Sequence, residues 1–131
     1  MIKLIYGKKG SGKTKSMLET ANSIVLNSKG NVVYIDSSDE FLTKLARAIR
    51  FINIKEYPVA DADALIGFVC GATSQNYDID NIFIDGLGKI VGDDAEKFMG
   101  LLKNIDNGSI NYYISLSGAT DDVPAAFKEF I

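Results

Sequence analysis

A single α/β domain with a five-stranded parallel sheet between two layers of helices is the fold this sequence predicts. Three observations carry it. Five short apolar runs alternate with amphipathic segments from one end of the chain to the other. Those runs are almost continuously apolar, as strands covered on both faces require, and do not alternate inside and outside. The length of 131 residues suits one domain spanning 1–131, and no linker, low-complexity segment or internal repeat divides it.

The elements follow in order. Met1–Tyr6 reads as the first strand, and Lys13–Leu26 as a helix with Met17, Leu18, Ala21, Ile24 and Val25 at helical spacing. Asn31–Asp36 is the second strand. Asp39–Ile49 is expected to be a helix, opened by Asp39 and Glu40 and buried through Phe41, Leu42, Leu45 and Ile49. Phe51–Ile54 is a short third strand, followed by a turn at Tyr57-Pro58. Asp61 then caps a helix whose inner face carries Leu65, Phe68, Val69 and Ala72. Asn81–Asp85 is the fourth strand. Gly86–Gly92, with three glycines, is expected to be a mobile loop. Asp93 and Asp94 introduce a helix with Phe98, Leu101, Leu102 and Ile105 facing inward, and Asn107-Gly108 ends it. Tyr112–Leu116 is the fifth strand, and Asp121 or Asp122 with Pro124 starts a final short helix.

The segment Gly7-Lys8-Lys9-Gly10-Ser11-Gly12-Lys13-Thr14 fits G-x-x-x-x-G-K-[ST], the phosphate-binding loop of nucleotide-handling proteins. Its place between a strand and a helix start is the one the chemistry needs. Glycines let the backbone wrap a phosphate with successive N–H groups pointing inward, and the helix start adds its positive dipole end. Lys13 supplies a mobile charge for the outer phosphates, and the Thr14 hydroxyl is a ligand for magnesium. Lys15 extends the same basic cluster. The bland alternative is a glycine-rich strand-to-helix turn that binds nothing.

Composition removes several function classes. With 17 acidic against 14 basic residues, the chain carries a net charge of −3, which argues against nucleic-acid binding by phosphate neutralisation. No histidine is present, so zinc sites and histidine-based triads are largely excluded. Cys70 is the lone cysteine, giving no disulfide framework, and is expected to be a buried apolar thiol. No apolar run is long enough to span a bilayer and no signal peptide opens the chain, so a cytoplasmic location is expected.

Ligands of a doubly wound sheet sit beyond the carboxyl ends of its strands. Strand four ends in Asp85 after Ile82-Phe83-Ile84, a Walker B pattern whose acid orients a magnesium shell. Strand two ends in Asp36-Ser37-Ser38-Asp39-Glu40. Here the chain resembles RecA-like ATPases of the P-loop superfamily, which keep a water-activating glutamate in this region. The order of elements up to Asp85 is similar too. The resemblance implies a sheet ordered 3-2-4-5-1, bound ATP and Mg2+, and a carboxylate that orients water. Because Gly86 and no glutamate follows Asp85, that carboxylate must come from elsewhere, and Glu40, Asp39 and Asp36 are the candidates. Asp39 and Glu40 have an equal alternative as favourable charge at a helix start. Ser115 and Ser117, at the end of strand five, stand where such proteins sense the γ-phosphate, although a plain strand-end turn explains them as well. Arg47 and Arg50 are the only arginines, and their place near a helix end gives them an ordinary role.

In length and overall pattern the chain also resembles small uncharacterised bacterial ATP-binding proteins sometimes labelled twitching-motility-ATPase-like. The shared features are Ile5–Thr14, Val33–Asp36 and Ile84-Asp85-Gly86. True pilus-retraction ATPases carry histidine-containing motifs, which this chain lacks. The resemblance implies ATP binding and leaves the task open. The leading expectation is a Mg2+-dependent ATP-binding protein with slow or partner-dependent hydrolysis. Alternatives are a nucleotide-gated interaction module without catalysis and a small-molecule kinase. ATP is preferred to GTP because no Asn-Lys-x-Asp motif is present; Lys103-Asn104-Ile105-Asp106 does not supply one. Self-association or an unknown protein partner is compatible with this class.

Overall fold

A computed structural model describes all residues, Met1–Ile131. Five strands, β1 (Ile2–Lys8), β2 (Asn31–Asp36), β3 (Arg50–Asn53), β4 (Ile79–Ile84) and β5 (Asn111–Gly118), form one sheet. Every neighbouring pair is parallel, and the order is β1-β5-β4-β2-β3. Read from the other edge this is 3-2-4-5-1, the order expected. The helices are α1 (Lys13–Asn27), α2 (Ala62–Gln75), α3 (Leu87–Val91) and α4 (Ala95–Ile105). No helix is long and apolar enough to cross a membrane.

Strand periodicity divides the core into two layers. On β2, Val32 and Tyr34 face α1, where they pack with Met17, Ala21, Ile49 and Phe83. Val33 and Ile35 face the other way, into a larger cluster with Leu65 and Val69 of α2, Leu87 and Ile90 of α3, and Phe98 and Leu102 of α4. Both faces of the sheet are therefore covered, and this is why its strands lack in/out alternation. On the α1 face an aromatic row crosses four strands in register: Phe51, Tyr34, Phe83 and Tyr113. Successive ring centroids lie 6.4, 5.6 and 4.6 Å apart. Asp61 caps α2 as expected, accepting from the Ala64 N–H at 2.8 Å.

Four expectations are corrected. The helix expected over Asp39–Ile49 is absent; only a 3-10 turn forms, at Leu42–Lys44. Asn22 of α1 takes the backbone groups such a helix needs, its amide donating to the Lys44 carbonyl and accepting from the Ala46 N–H, both at 2.8 Å. Gly86–Gly92 is not a loop. Leu87, Ile90 and Val91 are buried on one side of α3, and that burial outweighs its glycines. The last helix is a 3-10 turn, Ala125–Phe130, which seats Phe127 and Phe130 in the core. Cys70 is exposed: the buried face of α2 runs through Leu65 and Val69, and the next residue is turned about 100° away.

Candidate functional site

The site is built at the carboxyl ends of β1, β4 and β2. β1 runs to Lys8, and α1 begins at Lys13. Between them Gly10 and Gly12 hold φ of 85° and 87°, in the left-handed region that favours glycine. Gly12 occupies the N-cap of α1 and makes no side-chain cap, so the first amides of the helix have no capping partner. Lys13 folds back across the loop, its Nζ donating to the Lys8 carbonyl at 2.9 Å and to Ser11 Oγ at 3.3 Å. The Lys8 N–H donates to Asp121 Oδ1 at 3.0 Å, tying the loop to the segment after β5. Gly7 is buried at the end of the strand, whereas Lys8, Lys9, Gly10, Ser11, Gly12 and Lys15 are exposed.

Asp85, at 3% exposure, follows β4 and is held on every side. Its Oδ1 accepts from Ser115 Oγ at 2.6 Å and, at a longer 3.4 Å, from Thr14 Oγ1. Its Oδ2 accepts from the Tyr34 hydroxyl at 2.8 Å, and its N–H donates to the Ile35 carbonyl at 2.8 Å. Ser115 Oγ in turn accepts from the Gly86 N–H at 2.7 Å. Burial, then the neighbouring Asp85 charge, pushes the Tyr34 phenol far above its ordinary range, so it stays a donor. The carboxylate is thus fixed in orientation, with the Thr14 hydroxyl beside it.

The three carboxylates considered as water-orienting groups occupy different settings. Asp36 is buried at the end of β2, its Oδ1 accepting from the Ser37 N–H at 2.7 Å. Burial pushes its carboxyl up to about 6, with Asp85 and Glu40 adding repulsion, while the Ser37 N–H and Lys89 pull it back. Asp39 is exposed and accepts from Asn53 at 3.3 Å; Glu40 is exposed. No three acidic, histidine or cysteine side chains converge as a metal cluster. The oxygens of Thr14 and Asp85 nonetheless suit Mg2+, which binds through one or two protein oxygens and completes its shell with phosphate and water.

Asp36 gives the fold a measurable pH dependence. Its folded value near 6 lies above the ordinary 3.8, so between these two pH values the folded chain holds a proton that the unfolded chain has lost. Its contribution therefore favours folding below about pH 4 and is lost as pH rises through 6. Asp36→Asn, which keeps the acceptor for Ser37, is expected to remove this loss. Urea denaturation at pH 8 should show the variant more stable by roughly 2–3 kcal/mol, with the difference gone near pH 4.

Two open cavities meet at Thr14. One, about 330 Å³, has only polar and glycine lining: Lys9, Gly10, Lys13, Gly86, Gly88, Lys89 and Ser117 surround Thr14. The other, about 460 Å³, lies between α1 and the β2–β3 connection, bounded by Lys15, Leu18, Asn22, Phe41 and Lys44. Sequence reasoning missed Tyr34, Lys89, Phe41 as a cavity wall and Asp121 as a loop anchor. For Lys89 a signal existed, because Leu87, Ile90 and Val91 have helical spacing that turns Lys89 outward. Arg47 and Arg50 are not in the site; they line a groove beside the first residues of β2 and β3. The chain matches no protein-family model and no curated protein sequence.

Proposed function

We propose that the chain is a P-loop, RecA-like, Mg2+-dependent ATP-binding protein, with hydrolysis that is slow or completed by a partner. The observation that carries this reading is the meeting of Lys13, Thr14 and Asp85 at the ends of β1 and β4, beside a cavity lined without apolar residues. The loop N–H groups and the start of α1 take the phosphates, and Lys13, lifted from Lys8 and Ser11, pairs with the outer ones. Thr14 and Asp85 hold Mg2+, which when bound offsets phosphate charge. The second cavity, adjoining at Thr14, takes the nucleoside, with Leu18 and Phe41 as its apolar contacts.

Of the three candidate carboxylates, Asp36 fits water activation best. It is buried at the end of β2 beside Asp85, and burial raises its carboxyl above the ordinary range, which makes it a stronger base than an ordinary carboxylate. Water attacks the γ-phosphorus, its proton passes to Asp36, and the β–γ bridging oxygen leaves with ADP. A non-catalytic, nucleotide-gated module is the second reading. It is favoured by one observation: no arginine lines either cavity at Thr14.

Phosphate release from Mg·ATP across a protein concentration series tests the first reading. Release per chain that climbs with concentration and falls at least about tenfold in Asp36→Asn, with ATP affinity kept, is the expected result. Equal release by Asp36→Asn removes Asp36 from the role. No release at any concentration leaves the module.

A further inference from the structure

We propose that the groove between the C-terminal end of α2 and the starts of β2 and β3 binds an acidic peptide segment, held by Arg47 and Arg50. The cavity measures about 570 Å³, within the roughly 300–1,000 Å³ of ligand sites. It lies at the opposite end of β2 from Asp36, so the inference does not rest on the nucleotide reading.

Both arginines of the chain border this one groove, and both are exposed. Neither makes an ion pair: the three ion pairs of the molecule use the N-terminus, Lys97 and Lys103. No carboxylate lines the groove, although the chain has 17 acidic residues. Arginine is the side chain suited to carboxylates, because its planar fork gives two parallel hydrogen bonds and sheds water more readily than lysine. An acidic protein that keeps two unpaired arginines beside one cavity, with no carboxylate in its lining, is complementary to an anion.

The rest of the lining selects a peptide. Val33, Ile52 and Ala72 make the floor apolar, and the Gln75 amide at the rim has no internal partner. β3 is the last strand of the sheet, so the backbone groups on its outer side have no strand to pair with. An extended segment offers apolar side chains to the floor, backbone groups to β3 and carboxylates to the arginines. A free phosphate offers only charge. The ordinary alternative is that the arginines merely neutralise the carbonyl end of α2, whose last turn has no basic residue. That role alters melting temperature but captures no peptide.

The probe is a fluorescein-labelled peptide of alternating glutamate and valine, read by anisotropy on the full chain, with a lysine-for-glutamate counterpart. Saturable binding of the acidic peptide alone is expected, weakened at least about tenfold in Arg47→Ala/Arg50→Ala and less in each single variant. Lys3→Ala/Lys128→Ala, which removes the same charge from exposed sites elsewhere, should bind as the parent does. Absence of saturable binding overturns the proposal. So does an equal loss in the lysine variant, which would reduce the effect to net charge. Displacement by pyrophosphate at the concentration at which unlabelled peptide competes would make this a small-anion site instead.

Discussion

Lys13→Ala raises the Kd for Mg·ATP by at least about 100-fold while the chain stays folded. In the free protein the Lys13 ammonium is held by two weak acceptors, the Lys8 carbonyl and Ser11 Oγ, so moving it onto a phosphate sacrifices little. Each charge-assisted hydrogen bond lost to a phosphate oxygen costs roughly 1.5–3 kcal/mol, and two together exceed the 2.7 kcal/mol of a 100-fold change. The cost to the fold is small, within about 1 kcal/mol, because Lys13 is half-buried and its amine has only those neutral acceptors. Calorimetric titration alongside a thermal melt separates the two effects. A variant that melts normally and binds normally would remove Lys13 from the site.

Phe83→Ala is the costliest single substitution expected in the core. The ring is fully buried on β4, 5.6 Å from Tyr34 and 4.6 Å from Tyr113. It stands in the middle of the aromatic row, so truncation opens a cavity between two side chains that hydrogen-bonded strands hold in place. The cost is about 3–5 kcal/mol, a large part of the 5–15 kcal/mol by which domains are stable. Tyr34, which orients Asp85, loses one of its two stacking neighbours, so the damage reaches the site as well. Denaturant midpoints measure the loss, and Phe83→Leu, which restores much of the volume, should recover most of it. An alanine variant losing less than 1 kcal/mol would mean that the row collapses without strain.

The parts of this fold legible in the sequence are those written in local pattern. Each of the five strands lies where an apolar run predicts it, with ends shifted by a few residues, and Asp61 caps α2 because capping is a matter of four consecutive residues. The glycine loop and Asp85 are likewise local motifs, and the structure places both at the carboxyl ends of strands. What was not legible depends on contacts far apart in the chain. Tyr34 reaches Asp85 across 51 residues, Ser115 across 30, and Asp121 meets Lys8 across 113. The segment Asp39–Ile49 has the apolar spacing of a helix, yet the distant Asn22 side chain takes two of its backbone groups. Gly86–Gly92 departs from expectation for the opposite reason: its three glycines favour a loop, whereas burial of Leu87, Ile90 and Val91 under the sheet favours a helix.

The most direct test of the central claim is calorimetric titration of the intact chain with ATP, with and without Mg2+. One saturable site per chain is expected, with a Kd of about 1 μM to 1 mM, weakened at least about tenfold when Mg2+ is left out. No saturable heat with Mg·ATP, or binding that ignores both Mg2+ and Lys13→Ala, would contradict it: the glycine loop would then be a strand-to-helix turn and nothing more.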